Sequence, residues 1–405
     1  MRSRKWIVLG GITAVMGLAV AGCGTQEGNS APASPTAEAT AEAMVSDEGS
    51  GQNKQADKSE QVTILKDAFE NDFTVGVCVS MAAANDDEEM EFVTRNFNSI
   101  TMENDMKPES LLDWEASEKS ADGMPEIRTE HLGRVLKIAK DKGVKLRGHT
   151  LVWHSQTPEW FFSKDFEPSK GYADKDTMKK RMEAYIQKVL TYCKENYPGG
   201  VYAWDVANEV MSDDGGFRTE SGWYETYGDE SYITDAFTFA RKYAEPDTKL
   251  FLNDYNEYIY KKRDQLVELL KKLREQGLVD GMGLQSHWDM EFPSVNMFQE
   301  ALEEYGKIEG LELQLTEIDM HNTDDSEEGL QKQADRYKEF FEAIVRADRT
   351  GTANVTNVTF WGLKDDVTWL TSFKGETSYP LLFDADHKEK PCFTSILETA
   401  GEEYQ

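Results

Sequence analysis

The sequence has 405 residues, of which 39% are hydrophobic, and a chain of this length can bury a large core. Its 75 Asp and Glu residues outnumber 44 Lys and Arg residues, so the formal net charge is −31. Binding to nucleic acid depends on basic side chains gathered on one face, so we expect no nucleic-acid partner and favour a neutral ligand.

The N-terminus has the layout of an export signal. Arg2, Arg4 and Lys5 precede an apolar run at 6–21, a pattern typical of a secretory signal peptide. The run ends in Val20-Ala21-Gly22-Cys23, which resembles a bacterial lipobox, in which the cysteine sulfur receives a lipid. We predict a lipoprotein signal peptide at 1–22 and a protein that is exported and held at the membrane only by the lipid on Cys23. An ordinary signal peptide and an uncleaved anchor are the alternatives.

The segment after Cys23 is rich in Ala, Ser, Thr, Pro, Glu and Gly and has almost no large apolar side chains. Such a composition cannot offset the entropy lost on ordering, so we predict a lipidated, disordered linker at 23–58 and a single folded domain at 59–405. The spacing of the remaining cysteines suggests neither a zinc site nor a disulfide framework, and we expect buried free thiols at Cys78, Cys193 and Cys392.

The folded domain alternates β-rich runs with amphipathic helical stretches, the pattern of a parallel sheet with crossover helices. Apolar residues at three- and four-residue spacing predict helices such as 130–142, 177–196, 264–276 and 327–347. The stretch at 212–229 is predicted to be a long loop. Eight β runs predict a closed (β/α)8 TIM barrel, and they lie at 75–80, 99–106, 145–153, 201–208, 249–254, 281–287, 311–318 and 357–362.

Polar and aromatic side chains gather near the ends of seven of these runs. In such barrels the active site lies at the C-terminal ends of the strands. Glu209 and Glu317 end the fourth and seventh runs, which lie on opposite sides of an eight-strand ring. Two carboxyl groups that face each other across a sugar are what glycosidic bond hydrolysis needs, and a retaining enzyme holds them roughly 5–5.5 Å apart.

Six segments of the domain resemble glycoside hydrolase family 10, and they occur in the order found in that family. Together they extend over the region from about residue 60 to the C-terminus, which makes the match far more specific than any single motif. The segments are 100–109, 147–156, 204–209, 283–287, 315–319 and 361–365.

The resemblance implies an endo-1,4-β-xylanase that cuts xylan internally with retention of configuration. Glu209 is implied to be the general acid and later the general base, and Glu317 the nucleophile. Asn208 is implied to bond the 2-hydroxyl of the sugar in the −1 subsite. His287 is implied to bond Glu317, with Asp319 supporting its ring.

The resemblance also implies a set of sugar-binding side chains. Those of the −2 and −1 subsites are Glu103, Asn104, Lys107, His149 and Gln285. The aromatic floor and lid are Trp153, Trp361 and Trp369, and Tyr255 belongs to the leaving-group subsites. We expect xylan and xylooligosaccharides as the only partners besides the membrane, no cofactor or metal, and a monomer.

Three alternatives stay open from the sequence. An endo-β-1,4-glucanase could use the same barrel and the same two Glu residues. A metal-dependent hydrolase could use histidines near the strand ends, namely His149, His154, His287 and His321, although no His-x-His occurs on the first run. A non-catalytic glycan-binding lipoprotein would need neither Glu209 nor Glu317 for turnover.

Overall fold

The computed structural model describes residues 64–403. The predicted signal peptide at 1–22, the lipid site at Cys23 and the linker at 23–58 lie outside the described residues.

Eight parallel strands form a closed barrel, as predicted. Each strand pairs with the next along the chain, and the last pairs with the first, for example Thr74 opposite Asn357. The strands are β1 (Thr74–Val79), β2 (Ser99–Met102), β3 (Lys145–Gly148), β4 (Val201–Asn208), β5 (Lys249–Asp254), β6 (Gly281–Leu284), β7 (Glu312–His321) and β8 (Asn354–Phe360).

Three predicted β runs are longer than the strands that form. The second ends at Met102, and the third and sixth are each interrupted by irregular backbone. Beyond the interruptions, Val152–Trp153 pairs with β4 and His287–Asp289 pairs with β7. A short antiparallel pair, Leu112–Asp113 with Glu126–Ile127, lies in the connection after β2. The interruptions place side chains at the barrel mouth that a continuous strand would point elsewhere.

Within residues 64–403, eight longer helices surround the barrel, and seven of them connect consecutive strands. Their apolar stripes face the strands, as in Thr129–Lys142, whose buried side chains include Leu132, Val135, Leu136 and Ala139. The helices are α1 (Asp87–Asn96), α2 (Thr129–Lys142), α3 (Lys175–Asn196), α4 (Ser231–Tyr243), α5 (Tyr260–Glu275), α6 (Val295–Gly306), α7 (Glu327–Arg349) and α8 (Pro391–Thr399).

Shorter helical turns lie in the loops. One of them, Gly222–Tyr227, falls inside the stretch 212–229 that we predicted as a plain loop, so that prediction was wrong there. Ser221 caps this helix by accepting a hydrogen bond from the backbone N–H of Tyr224. Trp223, which belongs to the helix, is buried. The other short α-helices are Leu65–Ala68, Met81–Ala84, Pro108–Leu111, Trp114–Glu118, Glu159–Phe162 and Trp369–Lys374, and the 3-10 turns are Lys164–Phe166, Pro168–Lys170 and Asp365–Val367.

The barrel interior and the layer between strands and helices form one continuous core. The three described cysteines, Cys78, Cys193 and Cys392, are buried and unpaired, as expected. Within residues 64–403, no helix combines the length and apolar character needed to cross a bilayer.

Candidate active site

Glu209 directly follows β4, and its backbone is held in an unusual conformation. Its φ of 54° lies in the left-handed region, which residues other than glycine rarely adopt. Its N–H donates to the carbonyl of Asn253 at 2.8 Å, and its own carbonyl accepts from Arg218 Nε at 3.1 Å. These contacts on both sides of the residue aim its side chain into the mouth of the barrel.

The Glu209 carboxylate is partly open to solvent, with 15% of the side chain exposed. Trp153 Nε1 donates to Oε2 at 2.9 Å, and Gln285 Nε2 donates to Oε1 at 3.1 Å. His154 Nδ1 lies 3.8 Å from Oε2, and burial lowers the pKa of His154 to about 4, so this imidazole is neutral near pH 7. Each Glu209 oxygen therefore has one neutral donor and is still reachable from the cleft.

Glu317 lies within β7 and is buried, in contrast to Glu209. Asn253 Nδ2 donates to Oε1 at 2.8 Å, and His287 Nε2 lies 3.3 Å from Oε2. Burial alone would raise the pKa of Glu317, but the imidazoles of His149 and His287 and the Asn253 amide lower it to about 2. Glu317 is therefore an anion at every pH at which the protein is expected to work.

His287 connects Glu317 to a second buried carboxylate. Its Nδ1 lies 2.8 Å from Asp319 Oδ1, and Trp369 Nε1 donates to Asp319 Oδ2 at 2.8 Å. Burial disfavours the charged imidazole, but Asp319 and then Glu317 raise the pKa of His287 to about 10. The ring is thus held as an imidazolium between two carboxylates, with Trp369 packed against it at a centroid distance of 5.1 Å.

Three side-chain amides connect the two glutamates. The amide of Asn208 lies 3.3 Å from that of Gln285, which bonds Glu209, and 2.9 Å from that of Asn253, which bonds Glu317. Glu209 and Glu317 therefore belong to one continuous polar network at the mouth of the barrel.

The rim beyond β2 carries the predicted lysine. Lys107 is buried, and its Nζ donates to Asn104 Oδ1 at 3.1 Å and to Gln156 Oε1 at 2.9 Å. The ammonium also lies 5.0 Å from the centroid of the Trp153 ring, and burial lowers its pKa. Lys107 is therefore part of the site and is not a solvated surface charge.

Glu103 and two predicted tryptophans line a cavity next to the glutamates. Trp361 is 6% exposed and packs edge-on against the ring of His149, at a centroid distance of 5.4 Å. Trp369 begins the short helix after β8 and lines the same cavity as Glu103 and Trp361. Within residues 64–403, the Glu103 carboxylate accepts no hydrogen bond of its own, so its oxygens are available to a ligand.

Tyr255 lies on the other side of Glu209. Its hydroxyl accepts from Arg218 Nη2 at 3.0 Å, and its ring lies 3.6 Å from Lys262 Nζ. Lys262 also pairs with the buried Asp254 at 2.8 Å. Burial raises the pKa of Asp254 to about 6, against the opposing effect of Lys262. This cluster fixes the Tyr255 ring, and its place in the leaving-group subsites stays a prediction.

His149 is held from beneath by a buried ion pair. Its Nδ1 lies 2.9 Å from Asp205 Oδ2 and 4.0 Å from Glu317 Oε1. Asp205 is fully buried and is bound by both terminal nitrogens of Arg147, whose Nε also donates to Gln314 at 2.8 Å. The ion pair of Arg147 and Asp205 thus holds the His149 ring from the barrel floor, and each of the two charges has a partner within the protein.

Three of the four histidines of the metal alternative make hydrogen bonds to protein groups. His149 and His287 bond carboxylates, and His321 Nδ1 lies 2.9 Å from Ser378 Oγ. In the described part of the chain, no group of three or more His, Cys, Asp and Glu side chains is arranged to hold a metal ion.

Sequence reasoning missed four side chains of this site. Asn253 lies two residues before Tyr255 and Asp205 lies four residues before Glu209, so alternation of side chains along the strands could have suggested them. Gln156 ends the family-like segment 147–156 but was given no role, and Arg218 lies in a loop that no local pattern marked.

A model of glycosyl hydrolase family 10 matches residues 64–399. The chain is 44% identical over 340 residues to endo-1,4-beta-xylanase B of Butyrivibrio fibrisolvens, an alignment that covers 83% of this chain and 53% of that protein. It therefore spans about half the length of that relative. A putative endo-1,4-beta-xylanase of Caldicellulosiruptor saccharolyticus is 42% identical over 305 residues, covering 72% of this chain and 96% of that protein.

Solved structures of xylanases also match this chain. Xylanase 10B of Clostridium thermocellum, crystallised with xylohexaose, superposes with a TM-score of 0.76 at 36% identity, over 83% of this chain and 68% of that one. The intracellular xylanase TsXylA of Thermoanaerobacterium saccharolyticum gives a TM-score of 0.73 at 33% identity, over 84% and 99% of the two chains. The matched residues include every strand of the barrel and every side chain of the site, and the chain belongs to glycosyl hydrolase family 10.

Proposed function

We propose that this protein is an endo-1,4-β-xylanase that hydrolyses xylan with retention of configuration. The observation that carries the proposal is the contrast between two carboxylates in one network. Glu317 is buried and held ionised, with a pKa of about 2, whereas Glu209 has neutral donors and an open side. A nucleophile must stay ionised, as Glu317 does. A group that donates and accepts a proton must be reachable from the cleft, as Glu209 is.

In the first half-reaction, Glu317 attacks the anomeric carbon while Glu209 gives its proton to the departing glycosidic oxygen. The carbon–oxygen bond to the leaving sugar breaks as the ester bond to Glu317 forms. The imidazolium of His287 and the amide of Asn253 hold the attacking carboxylate in one orientation.

In the second half-reaction, water attacks the same carbon and Glu209 takes its proton. The ester bond breaks, Glu317 returns as an anion, and the two inversions leave the product with the configuration of the substrate. One residue can therefore act as acid and then as base.

Xylan is the substrate that the relatives support. Both curated relatives are named as xylanases, and the Clostridium thermocellum structure contains xylohexaose. Trp361 and Trp369 supply the apolar faces on which sugar C–H groups stack, and Glu103 and Lys107 supply polar partners. The glucanase alternative is tested by the ratio of turnover on xylan to turnover on carboxymethylcellulose, which we expect to favour xylan strongly.

Anomer-resolved NMR of xylooligosaccharide hydrolysis tests substrate, stereochemistry and nucleophile together. Wild type should release the β-anomer first, and Glu317→Ala should release no product. Glu312→Ala is the matched control, because Glu312 begins the same strand at the opposite end of the barrel, where it pairs with Lys249. Glu312→Ala should still release the β-anomer first. Initial α-anomer, or turnover by Glu317→Ala, contradicts the proposal, and binding without turnover by wild type supports the glycan-binding alternative.

We also propose that the protein is an exported, monomeric lipoprotein whose domain at 59–405 is attached through Cys23 and the linker at 23–58. The basic N-terminus, the apolar run at 6–21 and the lipobox-like residues support this proposal. Expression of the full chain and of Cys23→Ser in a bacterial host, with fractionation and mass spectrometry, tests it. Wild type should be in the membrane fraction with a diacylglycerol on Cys23, and Cys23→Ser should not. A wild type that fractionates like Cys23→Ser contradicts it.

A further inference from the structure

The turn that follows β6 carries the side chains that hold both glutamates of the site. Gln285 Nε2 donates to Glu209 Oε1 at 3.1 Å, and His287 Nε2 lies 3.3 Å from Glu317 Oε2. Ser286 lies between Gln285 and His287 in the left-handed region, with a φ of 60°, and is fully buried. A residue other than glycine keeps such a conformation only where its surroundings hold it. The groups that hold Ser286 therefore position both glutamates.

A buried carboxyl group that the proposed mechanism does not use contacts this turn. Glu257, in the loop after β5, is fully buried, and its Oε1 lies 3.3 Å from Ser286 Oγ. Tyr305 of α6 donates to the Glu257 carbonyl at 3.0 Å, and Tyr258 donates to the His287 carbonyl at 3.4 Å. The loop after β5 and the turn after β6 are thus joined by several contacts.

The hydroxyl of Ser286 has two acceptors within reach but only one proton. Its Oγ lies 3.3 Å from Glu257 Oε1 and 3.2 Å from the carbonyl oxygen of Leu284. If Glu257 were a carboxylate, Ser286 could donate to only one of these oxygens. If Glu257 carries a proton, its O–H donates to Ser286 Oγ and Ser286 donates to Leu284. Only the neutral acid therefore makes both contacts hydrogen bonds.

The other oxygen of Glu257 also favours the neutral acid. Within residues 64–403, Glu257 Oε2 is buried without a hydrogen-bond partner. Burying an unpaired carboxylate costs far more free energy than burying the carbonyl oxygen of a neutral acid. Lys262 pairs with Asp254 at 2.8 Å, and in the described part of the chain no ion pair reaches Glu257. The site therefore offers a carboxylate no compensation for its burial.

The pKa of Glu257 agrees with this assignment. Burial raises the pKa to about 7; the backbone N–H of Glu257 and the charges of Lys262 and His287 oppose burial, and Asp254 adds to it. The titratable groups that face Glu257 are Asp254 of β5, Tyr258, Lys262 of α5, His287 and Tyr305 of α6. Both tyrosines stay neutral, because burial raises the pKa of each. Glu257 is thus protonated at pH 5.5 and mostly ionised at pH 8.

We propose that Glu257 is a positioning residue that works as a neutral acid, whose O–H donates to Ser286 and thereby keeps the turn at 285–287 in place. Because it is fully buried, it acts through the side chains on either side of Ser286 and not on the substrate. Loss of its proton turns the donor into an acceptor, so one hydrogen bond of the turn is lost. The inference rests on the proposed xylanase function, since it names a group that limits that site at alkaline pH.

The experiment measures kcat/KM of the full chain on a linear xylooligosaccharide from pH 5 to 9, with each variant value divided by the wild-type value at the same pH. Glu257→Gln keeps a donor for Ser286 but cannot ionise. Its ratio should rise about threefold to tenfold from pH 5.5 to 8, since about a tenth of the carboxyl groups with a pKa of about 7 are protonated at pH 8.

Two further variants separate the hydrogen bond from the charge. Glu257→Met loses both the donor and the ionisable group, so its ratio should start about twofold to tenfold lower than that of Glu257→Gln and rise over the same pH range. Glu303→Gln, which replaces an exposed side chain of α6, is the matched control and should give a flat ratio.

Thermal unfolding gives a readout that does not depend on turnover. The folded-state pKa of Glu257 is raised from 4.5 to about 7, so the folded protein binds this proton more tightly than the unfolded chain does. Wild type therefore loses stability as pH rises from about 4.5 to about 7, and Glu257→Gln does not. The Tm of Glu257→Gln minus that of wild type should rise over this interval and stay level above it.

A ratio for Glu257→Gln that stays flat or falls with pH overturns the inference, even if the Tm difference rises, because Glu257 would then serve stability alone. A flat Tm difference overturns it as well. If Glu257→Gln does not fold, Glu257→Met decides by the same rise or its absence. If wild type cuts no xylooligosaccharide, the proposed xylanase function fails, whereas the Tm difference still tests the proton on Glu257, so the two failures are distinguishable.

Discussion

The contact between Asp319 and His287 leads to a prediction that can be worked out from the structure. Asp319→Asn keeps the size of the side chain but removes the negative charge 2.8 Å from His287 Nδ1. It also places an amide where Trp369 Nε1 now donates to a carboxylate oxygen. Without this charge, the pKa of His287 is expected to fall from about 10, because burial lowers it and only Glu317 still raises it.

The loss of activity in this variant should therefore grow with pH. At a pH low enough to keep the ring protonated in both proteins, the loss reflects the weakened hydrogen bond, about 1.5–3 kcal/mol or roughly tenfold to a hundredfold. At higher pH the ring of the variant loses its proton before that of wild type, and Glu317 then loses its charged partner. The ratio of variant to wild-type kcat/KM should therefore fall further as pH rises.

The assay is kcat/KM on a linear xylooligosaccharide from pH 5 to 9, with each variant value divided by the wild-type value at the same pH. This division removes the pH dependence that both proteins share. Asp235→Asn, which breaks an ion pair with Lys179 on the outer helices, is the control and should give a flat ratio. A flat ratio for Asp319→Asn would refute the reasoning, because His287 would then not need its proton.

Thermal unfolding of the same two proteins gives a second readout. The folded-state pKa of His287 is raised, so the stability that its pairing contributes is fully present below 6.5 and is lost as pH rises through about 10. The Tm difference between wild type and Asp319→Asn should therefore be largest at pH 5–6.5 and shrink toward pH 10. A difference that grows with pH would contradict the assignment of the charge to His287.

Further predictions concern the support of the site. Asn253→Ala removes the 2.8 Å hydrogen bond to Glu317, and we expect kcat to fall about tenfold to a hundredfold in steady-state assays; an unchanged kcat would contradict this. Arg147→Met leaves Asp205 buried without its partner, so calorimetry should show a Tm lower by on the order of 10 °C. Burial raises the pKa of all three described thiols, so in Cys23→Ser none should react with a thiol reagent until denaturant is added.

Much of the fold was predictable because its signals are local. Each barrel strand is a short apolar run, and each outer helix repeats apolar residues on one face, so eight strands and their connecting helices follow from nearby residues alone. Glu209 and Glu317 were found because each lies in a contiguous motif at a strand end. The strand interruptions and the helix at Gly222–Tyr227 were not predicted, since they depend on packing against distant loops.

The sequence by itself therefore determined the barrel, the family resemblance and the pair of glutamates, all of which are encoded in short contiguous segments. Only the tertiary structure determined that the two glutamates have different environments. Asn253 lies 64 residues from Glu317, and Arg147 lies 167 residues from Gln314, yet each pair is in direct contact. The pKa of a buried group depends on burial and on the charges around it, and those neighbours exist only after the strands have closed into a barrel.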